Sequence, residues 1–160
     1  MTDAQPSSLA RALGRVPSGL YIVSSLQDGR PIGFVGSFVA QTGLDPPGVC
    51  LAIAKGRDHL LAIRQQGGFV ISILDDQSQG LMGAFLKPRD DGSSPFSDLQ
   101  TRPAPSGPPI LTDALAWLDC RLASEHATSD HIVCFGEVEA GACLREGDPK
   151  VHLRTNGLAY

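Results

Sequence analysis

No stretch of the chain approaches the roughly 20 consecutive apolar residues that a bilayer-spanning helix needs, and the opening MTDAQPSSLARALGRV lacks the apolar core of a signal peptide. A soluble, cytoplasmic protein is the expectation. No run of Lys or Arg occurs and the formal net charge is -4, so the broad positive field that attracts nucleic acid or an anionic membrane is missing. Neither is expected as a partner, and an anionic ligand must be held locally. The cysteines Cys50, Cys120, Cys134 and Cys143 show no C-x-x-C pairing, and His59, His126 and His152 have no metal-ligand spacing. No metal site or disulfide framework is indicated, and the first three cysteines, in apolar β-like segments, read as buried structural thiols. G-x-S-x-G, H-E-x-x-H, Walker and G-x-G-x-x-G motifs are all absent, which points away from a triad hydrolase, a zincin or a nucleoside triphosphatase.

What remains is an ordinary globular composition, 42% hydrophobic and 19% charged, over 160 residues. That length suits one compact domain over residues 1–160. The 18 glycines and 12 prolines imply many turns and lean the chain towards β structure.

Residues 1–8 are expected to be flexible. Pro6-Ser7-Ser8 offers a cap to a short helix whose Leu9, Leu13 and Val16 share a face. Leu20 to Leu26 and Ile32 to Ala40 read as extended segments around the turn pair Asp28-Gly29. Pro46-Pro47 interrupts them, and Val49 to Ala54 is an apolar run fit for a buried strand. Asp58 is a candidate cap for a helix carrying Leu60, Leu61 and Ile63 that ends at Gly67-Gly68, before the strand-like Phe69 to Leu74. Helical spacing returns at Leu81, Met82 and Phe85, and residues 87–109 read as a long irregular loop. Extended patterns follow from Ala114 to Leu122, Ile132 to Val138 and Val151 to Leu153. Six or seven strands with few helices favour a mainly β fold, an antiparallel sheet closing into a barrel.

Four places hold candidate chemistry. Ala54-Lys55-Gly56-Arg57-Asp58 joins a strand to a helix start, where free amides, the helix dipole and two cations suit a phosphate; an exposed basic turn explains the same letters. Gly33-Phe34-Val35-Gly36-Ser37-Phe38 is a strand with two glycines, a sign either of close ligand approach or of tight packing. His131 follows the turn Ser129-Asp130, as a cofactor-side group or a plain surface residue. Ser72, alone among apolar neighbours, needs a hydrogen-bond partner in backbone or ligand.

Taken in order, GLYIVSS, PIGFVGSFVAQTGLDPPGVCLAIAKGRD, GGFVISIL, PPILTDALAWLDCRL, SDHIVCFGEVEAG and VHLRTNGLAY resemble the flavin reductase-like family of FMN-binding split barrels. LDPPGVCLAIAKGRD and ILTDALAWLDC look especially like the flavin reductase module of flavodiiron proteins. The resemblance implies an antiparallel split β-barrel, a homodimer with FMN near the interface, and NADH or NADPH as electron donor, with FAD or riboflavin as further flavin substrates. It places Val35, Gly36, Ser37 and Phe38 at flavin contacts, Ala54, Lys55, Gly56 and Arg57 around the phosphate and ribityl chain, Ser72 on a flavin-side strand, and His131 at the late-turn histidine. Many relatives have Thr in place of Val35 and Asn in place of Ser72, and each loss of a hydrogen bond is worth about 0.5–1.5 kcal/mol. The implied activity is hydride transfer from NAD(P)H to flavin, which needs orientation rather than a protein nucleophile. Two rivals are an electron-transfer module serving an acceptor protein and a non-catalytic dimer that has lost flavin.

Overall fold

The computed structural model describes residues 5–86 and 92–159. In chain order it contains α1 (Ser8–Leu13), β1 (Ser18–Gly19), β2 (Tyr21–Gln27), β3 (Arg30–Gly36), β4 (Val39–Leu44), β5 (Pro47–Ala54), α2 (Asp58–Gln66) and β6 (Gly68–Ile73). A 3-10 turn (Gln79–Met82) and α3 (Gly83–Leu86) lead to β7 (Thr101–Pro103), β8 (Pro109–Leu111), β9 (Ala116–Ala127), β10 (His131–Cys143) and β11 (Val151–His152).

Seven of these strands form one antiparallel sheet in the order β3-β2-β6-β9-β10-β5-β4. Its two edge strands, β3 and β4, are consecutive in the chain, so the sheet curls into a split barrel with the break at Ser37-Phe38. Irregular registers at Phe135/Gly136 and Val138/Ala140 bend the long β9–β10 hairpin, as bulges do. Gly136 is required there: a Cβ would lie 2.8 Å from the Phe69 ring, and Phe69 is wholly buried at the heart of the barrel with Leu51, Ile63 and Ile71.

The Asp28-Gly29 turn joins β2 to β3, with positive φ at both residues, as a tight hairpin demands. α2 ends at Gly67 in the left-handed conformation. Its N-cap, however, is Arg57 and not Asp58. Arg57 has extended backbone and Asp58 is already helical, which places the Asp58 carboxylate beside the first turn instead of over it.

Two further expectations change. Ser7 and Ser8, placed in the flexible start, cap and open α1, with the Ser7 hydroxyl accepting from the Ala10 N–H at 3.2 Å; residues 1–4 lie outside the described set. The short helix buries Ala10, while Leu9 and Val16 stay 62% and 61% exposed. The late segment packs on the Ala10 side, where the Gly157 N–H donates to the Ala10 carbonyl at 2.7 Å. Of the loop assigned to residues 87–109, residues 87–91 lie outside the described set. Beyond them the chain is ordered by burial of Phe96 and by pairing of β7 with β8, which lays the Arg102 guanidinium 5.2 Å from the Trp117 ring centre. This excursion covers the outer face of β2 and β6, so that β6 is buried on both sides.

The base of the sheet is tied by Asp75. Its carboxylate accepts from Arg145 Nη2 at 2.6 Å, Arg145 Nε at 3.1 Å, the Ser78 N–H at 2.8 Å and the Ser78 hydroxyl at 2.6 Å. Arg145 also donates to the Asp113 and Ala114 carbonyls, joining the ends of β6 and β10 to the start of β9. Hydrogen bonding from Arg145, then from Ser78, holds the Asp75 carboxyl far below the usual carboxylate range. A depressed folded-state pKa stabilises the fold fully above the unfolded value, about 3.9, and the contribution is lost as pH falls through the folded value. Asp75→Asn should therefore lower the melting temperature by several degrees at pH 7, with the gap to wild type closing as the pH falls below about 4; thermal unfolding across that range checks it.

Candidate functional site

One end of the barrel gathers three backbone irregularities. The first is the break at Ser37-Phe38 between the edge strands, the second the turn Lys55-Gly56 from β5 into α2, and the third the turn Thr128–Asp130 of the β9–β10 hairpin. The ladder between β5 and β10 sets Ala54 opposite His131, which fixes the second and third turns side by side.

Lys55 then clasps them together. Its backbone N–H donates to the Asp130 carbonyl at 2.9 Å, and its ammonium donates to the Thr128 and Ser129 carbonyls at 2.6 and 3.0 Å. One of the two side chains expected to neutralise phosphate, Lys55 beside Arg57, is instead engaged with backbone oxygen. The hairpin turn is further closed by Thr128, whose N–H and hydroxyl both donate to the His131 carbonyl.

His131 lies against this clasp with its side chain 12% exposed, and Nδ1 is 2.9 Å from an Asp130 carboxylate oxygen. Hydrogen bonding from the imidazole holds the Asp130 carboxyl below its ordinary range. The rings of His131 and Phe38 stand 5.6 Å apart between centres at a tilt of 57°. Phe38 is anchored through its carbonyl, which accepts from the Ala52 N–H at 3.0 Å, and the Arg154 guanidinium sits 4.8 Å from its ring centre.

Gly56 supplies the open part of the site. Its φ of +80° is a conformation that favours glycine, and no heavy atom lies within 4 Å of where a Cβ would stand. The following helix has no side-chain cap at Arg57, and the Leu60 N–H already donates to the Arg57 carbonyl at 3.0 Å, which leaves the Asp58 and His59 amides as the candidates for a ligand oxygen, next to the exposed Arg57. The exposed Asp58 carboxylate in the same turn partly offsets that attraction. An open glycine turn, cations and an aromatic ring are gathered here, groups that can receive a phosphate beside a flat ring.

Ser37, Phe38, Ala54, Lys55, Gly56, Arg57 and His131 are thus brought to one end of the barrel. Gly36 lies just before the break but faces the core, where a Cβ would come within 3.1 Å of Val23. Val35 packs on the opposite cluster with Ile22 and Leu111. The tight-packing reading therefore accounts for Gly36, and equally for Gly33, where a Cβ would meet Phe96 at 2.7 Å. Ser72 is not brought to the site: it is buried beneath β8 and its oxygen accepts from the Leu111 N–H at 3.3 Å. Its partner is backbone.

Arg154 carried no local signal in the sequence, since a lone Arg in a polar segment is common and only the fold lays it on Phe38. His59 was set aside as a metal ligand, and the structure shows its other use: Nε2–H donates to the Gly33 carbonyl at 3.1 Å, and burial pushes the imidazole pKa down. Cys120 and Cys134 are buried, their thiols pushed up to about 12 by burial, whereas Cys50 is only half-buried. Among the described residues no group of three or more His, Cys, Asp or Glu is placed to hold a metal, and no helix is long and apolar enough to cross a membrane.

A cavity of about 300 Å³ opens elsewhere, lined by Tyr21, Val39, Val49, Ile71, Leu118 and Val138 among others. It lies at the Pro47 end of β5, opposite the Ala54 end, and carries no charged lining. The cavity therefore offers no cation to a phosphate, whereas the turn cluster does.

Comparison with known proteins agrees with the fold. The profile of the flavin reductase like domain matches residues 13–157. Diflavin flavoprotein A 1 of Synechocystis is 37% identical over 156 residues, covering 96% of this chain but 27% of that protein. The chain thus spans about a quarter of the length of these diflavin relatives. The reductase subunit HsaB of a flavin-dependent monooxygenase from Rhodococcus jostii is 33% identical over 149 residues, 93% of this chain and 75% of that protein. Among solved structures, nitrilotriacetate monooxygenase component B from Mycobacterium thermoresistibile superposes with a TM-score of 0.83 at 30% identity, over 91% of this chain and 81% of that one. On the strength of the profile, the relatives and the split-barrel architecture together, this chain belongs to the flavin reductase-like domain family.

Proposed function

We propose that the chain is a flavin reductase that takes a hydride from NADH or NADPH and passes it to FMN. The observation that carries this reading is the convergence of the Gly56-Arg57 cradle and the His131 turn on Phe38, held by the Lys55 clasp. A bound flavin would supply the redox chemistry, and the chain's residues would hold and orient it. Gly56, Arg57 and the first turn of α2 hold its phosphate, Ser37 offers a hydroxyl at the strand break, and His131, braced by Asp130, orients the reacting rings. No step requires a protein nucleophile.

A homodimer completes the reading. Leu9, Val16, Val151, Leu153 and Leu158 are all more than half exposed, on segments joined by the β1–β11 ladder and by the Arg154–Gly14 and Gly157–Ala10 hydrogen bonds. An apolar surface shared by neighbouring segments marks an interface, and a second copy of the chain is the partner we assign to it. Light scattering coupled to size exclusion should give twice the 16.8 kDa of one chain, and Leu9→Asp with Leu153→Asp should halve it; a monomeric wild-type protein refutes the assignment.

Purified protein should oxidise NADH or NADPH with added FMN, FAD or riboflavin, and reduction should bleach the flavin absorbance. No turnover with any pairing of nucleotide and flavin overturns the reductase reading, and retained flavin with reduction only by a partner protein selects the electron-transfer role.

Because the Lys55 ammonium is bonded to carbonyls, its removal should disorder both turns at once. Lys55→Met is expected to weaken FMN and riboflavin by similar factors while lowering the melting temperature by only a few degrees, as befits an exposed contact. Titration of the two flavins by fluorescence quenching measures this, and loss of FMN affinity alone would return Lys55 to the phosphate.

A further inference from the structure

With Lys55 engaged elsewhere, the site holds another cation placed for an anion. Arg154 is half-buried, and no carboxylate pairs with it among the described residues, whereas Arg64, Arg121 and Arg145 all pair with carboxylates. Its guanidinium is held over the face of Phe38, and Phe38 adjoins His131, which sits opposite Ala54 at the start of the glycine turn. Stacking on an aromatic face leaves the in-plane N–H donors of a guanidinium free, in the forked arrangement that fits two oxygens of a phosphate.

The backbone around Arg154 is fixed independently of any ligand. Ahead of it, β11 pairs with β1 through Ser18 and His152. The Arg154 N–H donates to the Gly14 carbonyl at 3.1 Å, and beyond it the Gly157 N–H is held by Ala10. The first helix and the late segment thus form a bracket that delivers one guanidinium to the site, so little chain entropy remains to be lost on binding.

Resting on the flavin reading above, we propose that Arg154 is a phosphate-binding residue of this site, receiving the phosphate of a bound nucleotide cofactor in the role that the sequence assigned to Lys55. The phosphate belongs either to the flavin mononucleotide or to the nicotinamide dinucleotide, and the two sources are separable by experiment.

Arg154→Met keeps an apolar stem on Phe38 and removes the charge, and Arg154→Lys keeps the charge without the fork. For each variant and wild type, FMN and riboflavin dissociation constants are measured by fluorescence quenching, and KM and kcat for NADH with riboflavin as acceptor. If the flavin phosphate is the ligand, Arg154→Met weakens FMN by about tenfold or more, leaves riboflavin within about twofold, and Arg154→Lys recovers part of the loss. If the dinucleotide is the ligand, FMN binding is unchanged and the KM for NADH rises by a similar factor with kcat little altered. Equal weakening of FMN and riboflavin shows a structural role and overturns the proposal, as does no change in either constant. A wild-type protein that binds neither flavin nor oxidises NADH defeats the reductase reading itself, and this proposal with it.

Discussion

The backbone ladder between β5 and β10 is the constraint on which the rest of the site depends. It runs from Gly48 opposite Glu137 to Ala54 opposite His131, and β10 is the strand that links this pair to β9, β6 and β2. A slip of one residue would turn every side chain of β10 to the other face of the sheet. Cys134 would leave the core and His131 would leave Phe38. Burial on the inner face therefore sets the position of the outer turns: Val49, Leu51 and Ile53 from β5 and Cys134 from β10 all enter the same core, and the register follows.

Glycine positions show how packing and function divide the same residue type. Gly136 and Gly36 are occupied by neighbours from within, the Phe69 ring and the Val23 methyl. At Gly56 no heavy atom of the described residues lies within 4 Å of where a Cβ would stand, as at the turn glycines Gly29 and Gly67. The first two make room for a neighbouring side chain, and the third sits in an open turn with a φ of +80°. This contrast distinguishes a packed barrel strand from an open turn, and only coordinates reveal it.

The Lys55 clasp and the Arg154 bracket illustrate a division of labour between cations. An ammonium with three donors on a flexible stem suits scattered carbonyls, and Lys55 gathers two of them from one turn. A planar guanidinium suits stacking and paired oxygens, and Arg154 lies on an aromatic face. Asp130 contributes indirectly through the His131 ring. The site is assembled by groups from four stretches of chain, near residues 38, 56, 130 and 154, and its stiffness comes from backbone contacts more than from side-chain pairs.

Much was legible before any coordinates. The Asp28-Gly29 hairpin, the Gly67 helix end, the apolar run of β5 and the strand-turn-helix at Ala54 to Arg57 follow from backbone preferences acting over a few residues, so the sequence carries them locally. The ordered motifs were enough to indicate the family. Tertiary structure alone decided which polar groups were already satisfied: Ser72 by the Leu111 amide, Lys55 by two carbonyls, Gly36 by packing. It also decided the exposure of Leu9 and Val16, whose helical spacing implied burial, and the meeting of Arg154 with Phe38 across 116 positions of chain. Local preference determines how a segment bends, but a hydrogen-bond partner or a covering surface is supplied by residues distant in sequence, and only the closed barrel brings them into contact.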